Sequence, residues 1–159
     1  MFKINNFIDN DDILITQELG AFKVAEFKRD LSVNKETAQR EYFAAQMGLR
    51  LKQLVCDLSI NPVTLQQGAM QWMVGDVKAK TGIKGVGDLI GKSFRASVSK
   101  ESAIKPEYEG NGVVVLEPTY KYIVLIDLDN WNSSIVLEDG YFLALSLIHI
   151  SEPTRPRLI

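Results

Sequence analysis

The stretch that decides the fold is Val63-Thr-Leu-Gln-Gln-Gly-Ala-Met-Gln-Trp-Met73, in which two runs of β-type residues meet at a glycine. Apolar and polar residues alternate in each run, the two-residue period of a half-buried strand. The alternation changes parity at Gln67 and Gly68, which predicts a β-bulge there. Similar segments recur along the chain, and we predict strands at 13–19, 21–27, 54–58, 63–65, 70–74, 77–81, 113–116, 122–126, 134–137 and 141–144.

One segment in the first half of the chain has helical periodicity instead. Ala38, Tyr42 and Ala45 recur at helical spacing, Asn34 can cap the helix, and Gly48 stands where its end is expected. A second, short helical turn is predicted after the glycine-rich segment, at Leu89, Ile90 and Phe94. Short strands at this spacing predict a mainly β fold, an antiparallel β-sandwich or β-roll, with one N-terminal helix.

Composition bounds the class of protein. A chain of 159 residues with 46% hydrophobic residues can bury a core as a folded domain. Its 18 basic residues against 20 acidic ones lack the basic excess of a nucleic-acid binder, so no DNA partner is expected. No apolar run approaches the roughly 20 residues of a transmembrane helix, and residues 5–12 are too polar for a secretion signal. A cytoplasmic protein is therefore expected.

Few residues could carry catalysis. The single histidine, His149, stands near the end of the chain, and Cys56 is the single cysteine. The sequence therefore offers no general base with a nucleophile and no His or Cys cluster for a metal. Cys56 stands between Leu54 and Leu58 in a strand-like run, which favours a buried core thiol. We expect no enzyme activity, no catalytic residues, no metal ligands and no cofactor.

The glycine-rich segment Gly85-Val-Gly87-Asp-Leu-Ile-Gly91 is the most tempting motif. It has one residue too many for the dinucleotide fingerprint, and the first glycine of a phosphate-binding loop ending in Gly91-Lys92-Ser93 falls on Val86. An interaction loop is the preferred interpretation. We predict that Gly85, Gly87 and Gly91 form this loop and that Trp131, in a polar stretch, is a further interaction residue; phosphate binding is the alternative.

Two other motifs have competing interpretations. Asp127-Leu-Asp129-Asn130 could hold a metal ion, but it lacks the further ligands of a calcium loop, and a polar turn is favoured. Trp72 stands between Gln71 and Met73, in the strand-like run that begins at Met70, and a core position is favoured for it.

Several motifs in order resemble one family. They are Gln67-Gly-Ala-Met-Gln-Trp-Met73, Lys80-Thr-Gly82, Lys100-Glu-Ser-Ala103, Gly110-Asn-Gly112 and Glu138-Asp-Gly-Tyr-Phe-Leu-Ala144. Together they resemble the "altered inheritance of mitochondria" family of mitochondrial-biogenesis proteins. The resemblance implies a fold similar to the tryptophan RNA-binding attenuator protein and a tendency to form homo-oligomers. It implies no catalytic residues.

The resemblance also divides the chain. Residues 1–49 are an N-terminal extension, a hairpin plus a helix, and residues 50–144 are the family core, truncated at its C-terminal end. Residues 145–159 contain Pro153 and Pro156 and resemble a translated sequencing adapter. We expect this tail to be non-native and not to pack on the domain.

Three hypotheses about function follow. The first is a non-catalytic assembly or protein-interaction module that forms a homo-oligomer or binds a protein partner. The second is a ligand- or RNA-sensing oligomeric regulator, which rests only on the implied fold. The third is an enzyme acting through Asp127, Asp129, Glu138 or Lys92. The first is preferred because of the family resemblance and because the sequence offers no set of catalytic groups.

Overall fold

The computed structural model describes residues 4–30, 32–80, 105–131, 134–138 and 140–146. The strands within these ranges are β1 (Ile13–Leu19), β2 (Phe22–Phe27), β3 (Lys52–Asp57), β4 (Val63–Leu65), β5 (Met70–Lys80), β6 (Glu107–Leu116) and β7 (Ala144–Ser146). Helix α1 (Ala38–Gln46) lies between β2 and β3, and a 3-10 turn spans Leu128–Trp131. The prediction of a mainly β fold with one N-terminal helix is confirmed, whereas the predicted turn near Leu89 and Phe94 falls outside the described residues.

All seven strands belong to one curled antiparallel sheet with the order β1-β2-β3-β6-β4-β7, and β5 also pairs with β6. The long strand β6 organises this arrangement. One edge of β6 pairs with β5 over the whole length of both strands. Its other edge pairs with β3 through Val113, Val114 and Val115 and with β4 through Glu107 and Tyr108.

The predicted N-terminal hairpin is confirmed and extends the sheet. Only Gly20 and Ala21 connect β1 to β2, and Gly20 has a φ of +54°, as a tight hairpin turn requires. Strand β2 then pairs with β3 from Phe22↔Cys56 to Glu26↔Lys52. Strands β1 and β2 are therefore hydrogen-bonded into the same sheet as the part of the chain that carries the family motifs.

Helix α1 begins later than the cap predicted for it. Thr37 is its N-cap, and the Asn34 Oδ1 atom accepts hydrogen bonds from the N–H groups of Glu36 and Thr37 at 3.1 and 3.0 Å. Asn34 thus shapes the turn before the helix. The predicted end at Gly48 is confirmed: its φ is +81°, its N–H bonds to Ala45 O, and Leu49 N–H bonds to Ala44 O, the pattern of a Schellman motif.

Both faces of the sheet carry buried apolar side chains. The larger cluster includes Val24, Cys56, Leu65 and Leu116, each at most 1% exposed. The second cluster, on Ala25, Val55 and Val115, is covered by partly buried residues that include Phe7 and Trp72. The Phe7 and Trp72 rings meet edge to face with centroids 5.1 Å apart, so the predicted core position of Trp72 is confirmed.

Several local predictions are wrong. The bulge lies between Met70 and Trp72, whereas Gly68 belongs to the turn before β5. Residues 122–126 and 134–137 are not strands, and of the predicted strand at 141–144 only Ala144 lies in one. The first of these segments differs because the Gln17 side chain bonds to its backbone, donating to Ile123 O at 2.7 Å and accepting from Leu125 N at 3.1 Å.

The start of the predicted tail also differs from expectation. Leu145 and Ser146 belong to β7 and pair with Thr64 and Val63 of β4. The Ser146 hydroxyl donates to Pro62 O at 3.1 Å. The prediction that nothing after Ala144 packs on the domain is therefore wrong for these two residues. Residues 147–159 lie outside the described part of the chain.

Candidate interaction surface

Six large apolar side chains between Tyr122 and Tyr141 are exposed. Val136 is 97% exposed, Tyr122 is 87% exposed and Tyr141 is 74% exposed. Val124, Trp131 and Leu137 in the same segment are also exposed. We call the exposed side chains of Tyr122, Val124, Trp131, Val136, Leu137 and Tyr141 the apolar surface segment. Exposed apolar side chains make this segment a candidate interaction surface.

The local structure explains why these side chains point into water. The Gln17 amide holds the backbone of this stretch at Ile123 and Leu125. Ile123 is 8% exposed because it packs into the larger core cluster. Tyr122 and Val124, on either side of this buried residue, are exposed.

A polar turn presents Trp131. The two oxygens of the Asp127 carboxylate accept hydrogen bonds from the Asp129 backbone N–H at 3.1 Å and from the Asn130 side-chain amide at 3.0 Å. These local bonds are those of an Asx-type turn, the interpretation favoured from the sequence. Within the described residues, no group of three or more His, Cys, Asp or Glu side chains is placed to hold a metal ion.

A shallow groove lies between α1 and the sheet, next to the start of the apolar surface segment. The Tyr120 hydroxyl donates to the Asp30 carboxylate at 2.9 Å across this groove. That bond raises the pKa of Tyr120 to about 12. Hydrogen bonds from the Ser32 hydroxyl and backbone, together with the bond from Tyr120, lower the pKa of Asp30.

The buried side chain of Lys52 contacts the start of the apolar surface segment. The Lys52 side chain is 7% exposed in β3, and its Nζ atom donates to Arg50 O at 3.0 Å and lies 3.7 Å from Glu26 Oε2. The same Nζ atom lies 5.2 Å from the centroid of the Tyr122 ring. This cation–π contact, together with the Gln17 bonds, orients Tyr122 without covering its outer face.

Of the four predicted interaction residues, Trp131 lies in the part of the chain that the structure describes. Trp131 is 57% exposed, consistent with the interaction residue predicted, whereas Gly85, Gly87, Gly91 and Lys92 lie outside the described residues. Tyr122, Val136 and Tyr141 were missed because their runs were interpreted as sheet strands. A signal was present in the sequence: residues 122–126 are all apolar, so a strand there would need cover on both faces.

Cys56 is not part of any surface site. Its side chain is fully buried in the larger core cluster, and burial raises the pKa of the thiol to about 12. Because the thiolate is the reactive species, the native protein is expected to resist a thiol reagent such as Ellman's reagent. Labelling should be complete only after denaturant is added. Rapid labelling of the native chain at neutral pH would contradict this core position.

The fold is that of an antiparallel β-sheet protein in which large apolar side chains between Tyr122 and Tyr141 are exposed. The family model described as "Mitochondrial biogenesis AIM24" matches residues 44–148, more than half of the chain. The chain therefore belongs to the AIM24 mitochondrial-biogenesis family, as its motifs indicated. No curated protein and no solved structure matches the chain significantly. The similarity to the attenuator protein stays a prediction.

The family assignment covers most of the surface described above. The matched range begins within α1 and includes β3 to β7 together with the whole apolar surface segment. The hairpin of β1 and β2 precedes it. Among the helices that the structure describes, none has the length and hydropathy needed to cross a membrane.

Proposed function

We propose that this chain is a non-catalytic assembly module that binds other protein chains, and first of all further copies of itself, through the apolar surface segment. The observation that carries the proposal is the exposure of Val136, Tyr122 and Tyr141. Burying one such side chain contributes about 1.5–3 kcal/mol, so a partner that covers several of them gains substantial affinity. Aromatic side chains are also the residues that most often dominate protein interfaces.

The state of the chemical groups supports a non-catalytic role. The Cys56 thiol is buried and protonated at neutral pH. Both oxygens of the Asp127 carboxylate accept hydrogen bonds from residues of the same turn. The Asp30 carboxylate and the Tyr120 hydroxyl bond to each other. The ligand- or RNA-sensing alternative has no observation in its favour among the described residues, and the small acidic excess of the chain opposes RNA binding.

The test removes exposed apolar side chains one at a time and measures self-association by sedimentation velocity over a range of concentrations. Tyr122→Ser and Val136→Ser are each expected to raise the dissociation constant about tenfold or more, as loss of an interface anchor does. Both positions are exposed, so the thermal midpoint should change little.

Met47→Ser is the matched control. Met47 at the end of α1 is 88% exposed, almost the same fraction as Tyr122, but it lies outside the apolar surface segment. This variant should associate like the wild type. Equal weakening by all three substitutions would contradict the assignment of the interface to the segment, and a wild-type chain that stays monomeric would contradict the proposed function.

A further inference from the structure

Strand β5 presents a long edge of the sheet. It runs for eleven residues and pairs with β6 from Met70↔Leu116 to Lys80↔Glu107. In the described part of the chain, no strand pairs with its opposite edge. From Met73 to Asp76 every residue is exposed. A strand edge of this kind presents unpaired backbone donors and acceptors that another strand can complete.

The charges on this edge allow a second strand to pair with it. Lysines that repel an incoming strand commonly protect an edge, but here the Lys80 charge is paired with Glu109, and Asp76 and Lys78 have opposite charges two residues apart on the same side of β5. Neither has an ion-pair partner among the described residues. Lys78 lies opposite Glu109, but the Glu109 carboxylate binds Lys80 at 2.6 Å.

The positions of these charges select one way of pairing two copies. In an antiparallel pair of β5 strands related by a two-fold axis at Val77, Asp76 of each copy lies directly opposite Lys78 of the other. Moving the axis to Asp76 places two aspartates opposite each other, and moving it to Lys78 does the same for two lysines. Only the register centred on Val77 pairs these opposite charges twice without opposing like charges.

We infer that two copies of this chain join their sheets through antiparallel pairing of β5, with the two-fold axis at Val77 and two reciprocal Asp76–Lys78 ion pairs. The inference rests on the proposed self-association and names a contact distinct from the apolar surface segment. Backbone hydrogen bonds supply the attraction, and the ion pairs set the register.

Charge reversal tests this register in the full-length chain. Asp76→Lys places lysine opposite lysine twice, and Lys78→Asp places aspartate opposite aspartate twice. Each single variant is expected to raise the dissociation constant for self-association about tenfold or more at low salt. The double variant Asp76→Lys with Lys78→Asp restores both opposite-charge pairs and should associate like the wild type.

Mixing the two single variants provides an independent check. One then carries lysine at both positions and the other carries aspartate at both, so only the mixed pair is complementary, and sedimentation velocity should show association recovered on mixing. A loss that neither the double variant nor the mixture recovers would overturn the register. Wild-type association that no reversal weakens would overturn the β5 contact but leave the proposed function standing, whereas a monomeric wild type would overturn the proposed function itself.

Discussion

Replacing Gly110 with alanine is expected to lower the free energy of unfolding by about 2–6 kcal/mol, the largest effect of any single substitution considered for this chain. Gly110 has a φ of +124°, and a Cβ atom there would lie 2.1 Å from the Asp76 carbonyl oxygen on the facing strand. Backbone strain and steric overlap therefore add at one position, where the paired strands β5 and β6 approach each other closely. Urea unfolding followed by circular dichroism measures the change.

Substitutions at two other glycines distinguish the cost of backbone strain from the cost of steric overlap. Gly68 has a φ of +77° with open space around it, so Gly68→Ala should show only the backbone cost, about 1–2 kcal/mol. At Gly112 no positive φ contributes, but a Cβ atom would meet Val74 O at 2.3 Å, so Gly112→Ala should show the steric cost, about 1–3 kcal/mol. A Gly110→Ala variant as stable as Gly68→Ala would contradict the close approach of β5 and β6.

The second large effect is expected in the core. Leu116 at the end of β6 is 1% exposed and packs in the larger core cluster, so Leu116→Ala leaves a cavity and should cost about 2–5 kcal/mol. Leu14 in β1 is 47% exposed, and Leu14→Ala should cost well under half as much. Urea unfolding compares the two, and equal losses would mean that Leu116 does not belong to the core.

The sequence predicted the regular part of the fold because local signals and tertiary packing agree there. Alternation with a glycine turn defined the β1–β2 hairpin, and Gly48 defined the end of α1. The run that contains Cys56 was recognised as a strand from the alternation of Leu54, Cys56 and Leu58, and all three side chains enter the larger core cluster. In these segments, the residues that favour a conformation are also those that the core buries.

The failures occur where a distant side chain decides the conformation. Residues 122–126 have the composition of a strand, but their backbone is bonded by Gln17, which stands more than 100 residues earlier in the chain. No local pattern contains that information. The early bulge prediction failed for a related reason, because the register of β5 is fixed by its pairing with β6.

The candidate surface was only partly predictable. Trp131 could be identified because a large aromatic residue in a polar stretch has no local partner to pack against. Tyr122 was indicated only by the all-apolar run at 122–126, and Val136 by no local signal, since neither segment joins the sheet. The exposure of Val136 is recognised only when the position of its backbone is known.

The most direct test of self-association is a sedimentation velocity experiment on the full chain from low to high micromolar concentration. The structure leads us to expect a concentration-dependent shift from the mass of one chain to one defined oligomer, which the Tyr122→Ser substitution weakens. A single species with the mass of one chain at every concentration would contradict the central claim that this protein is an assembly module.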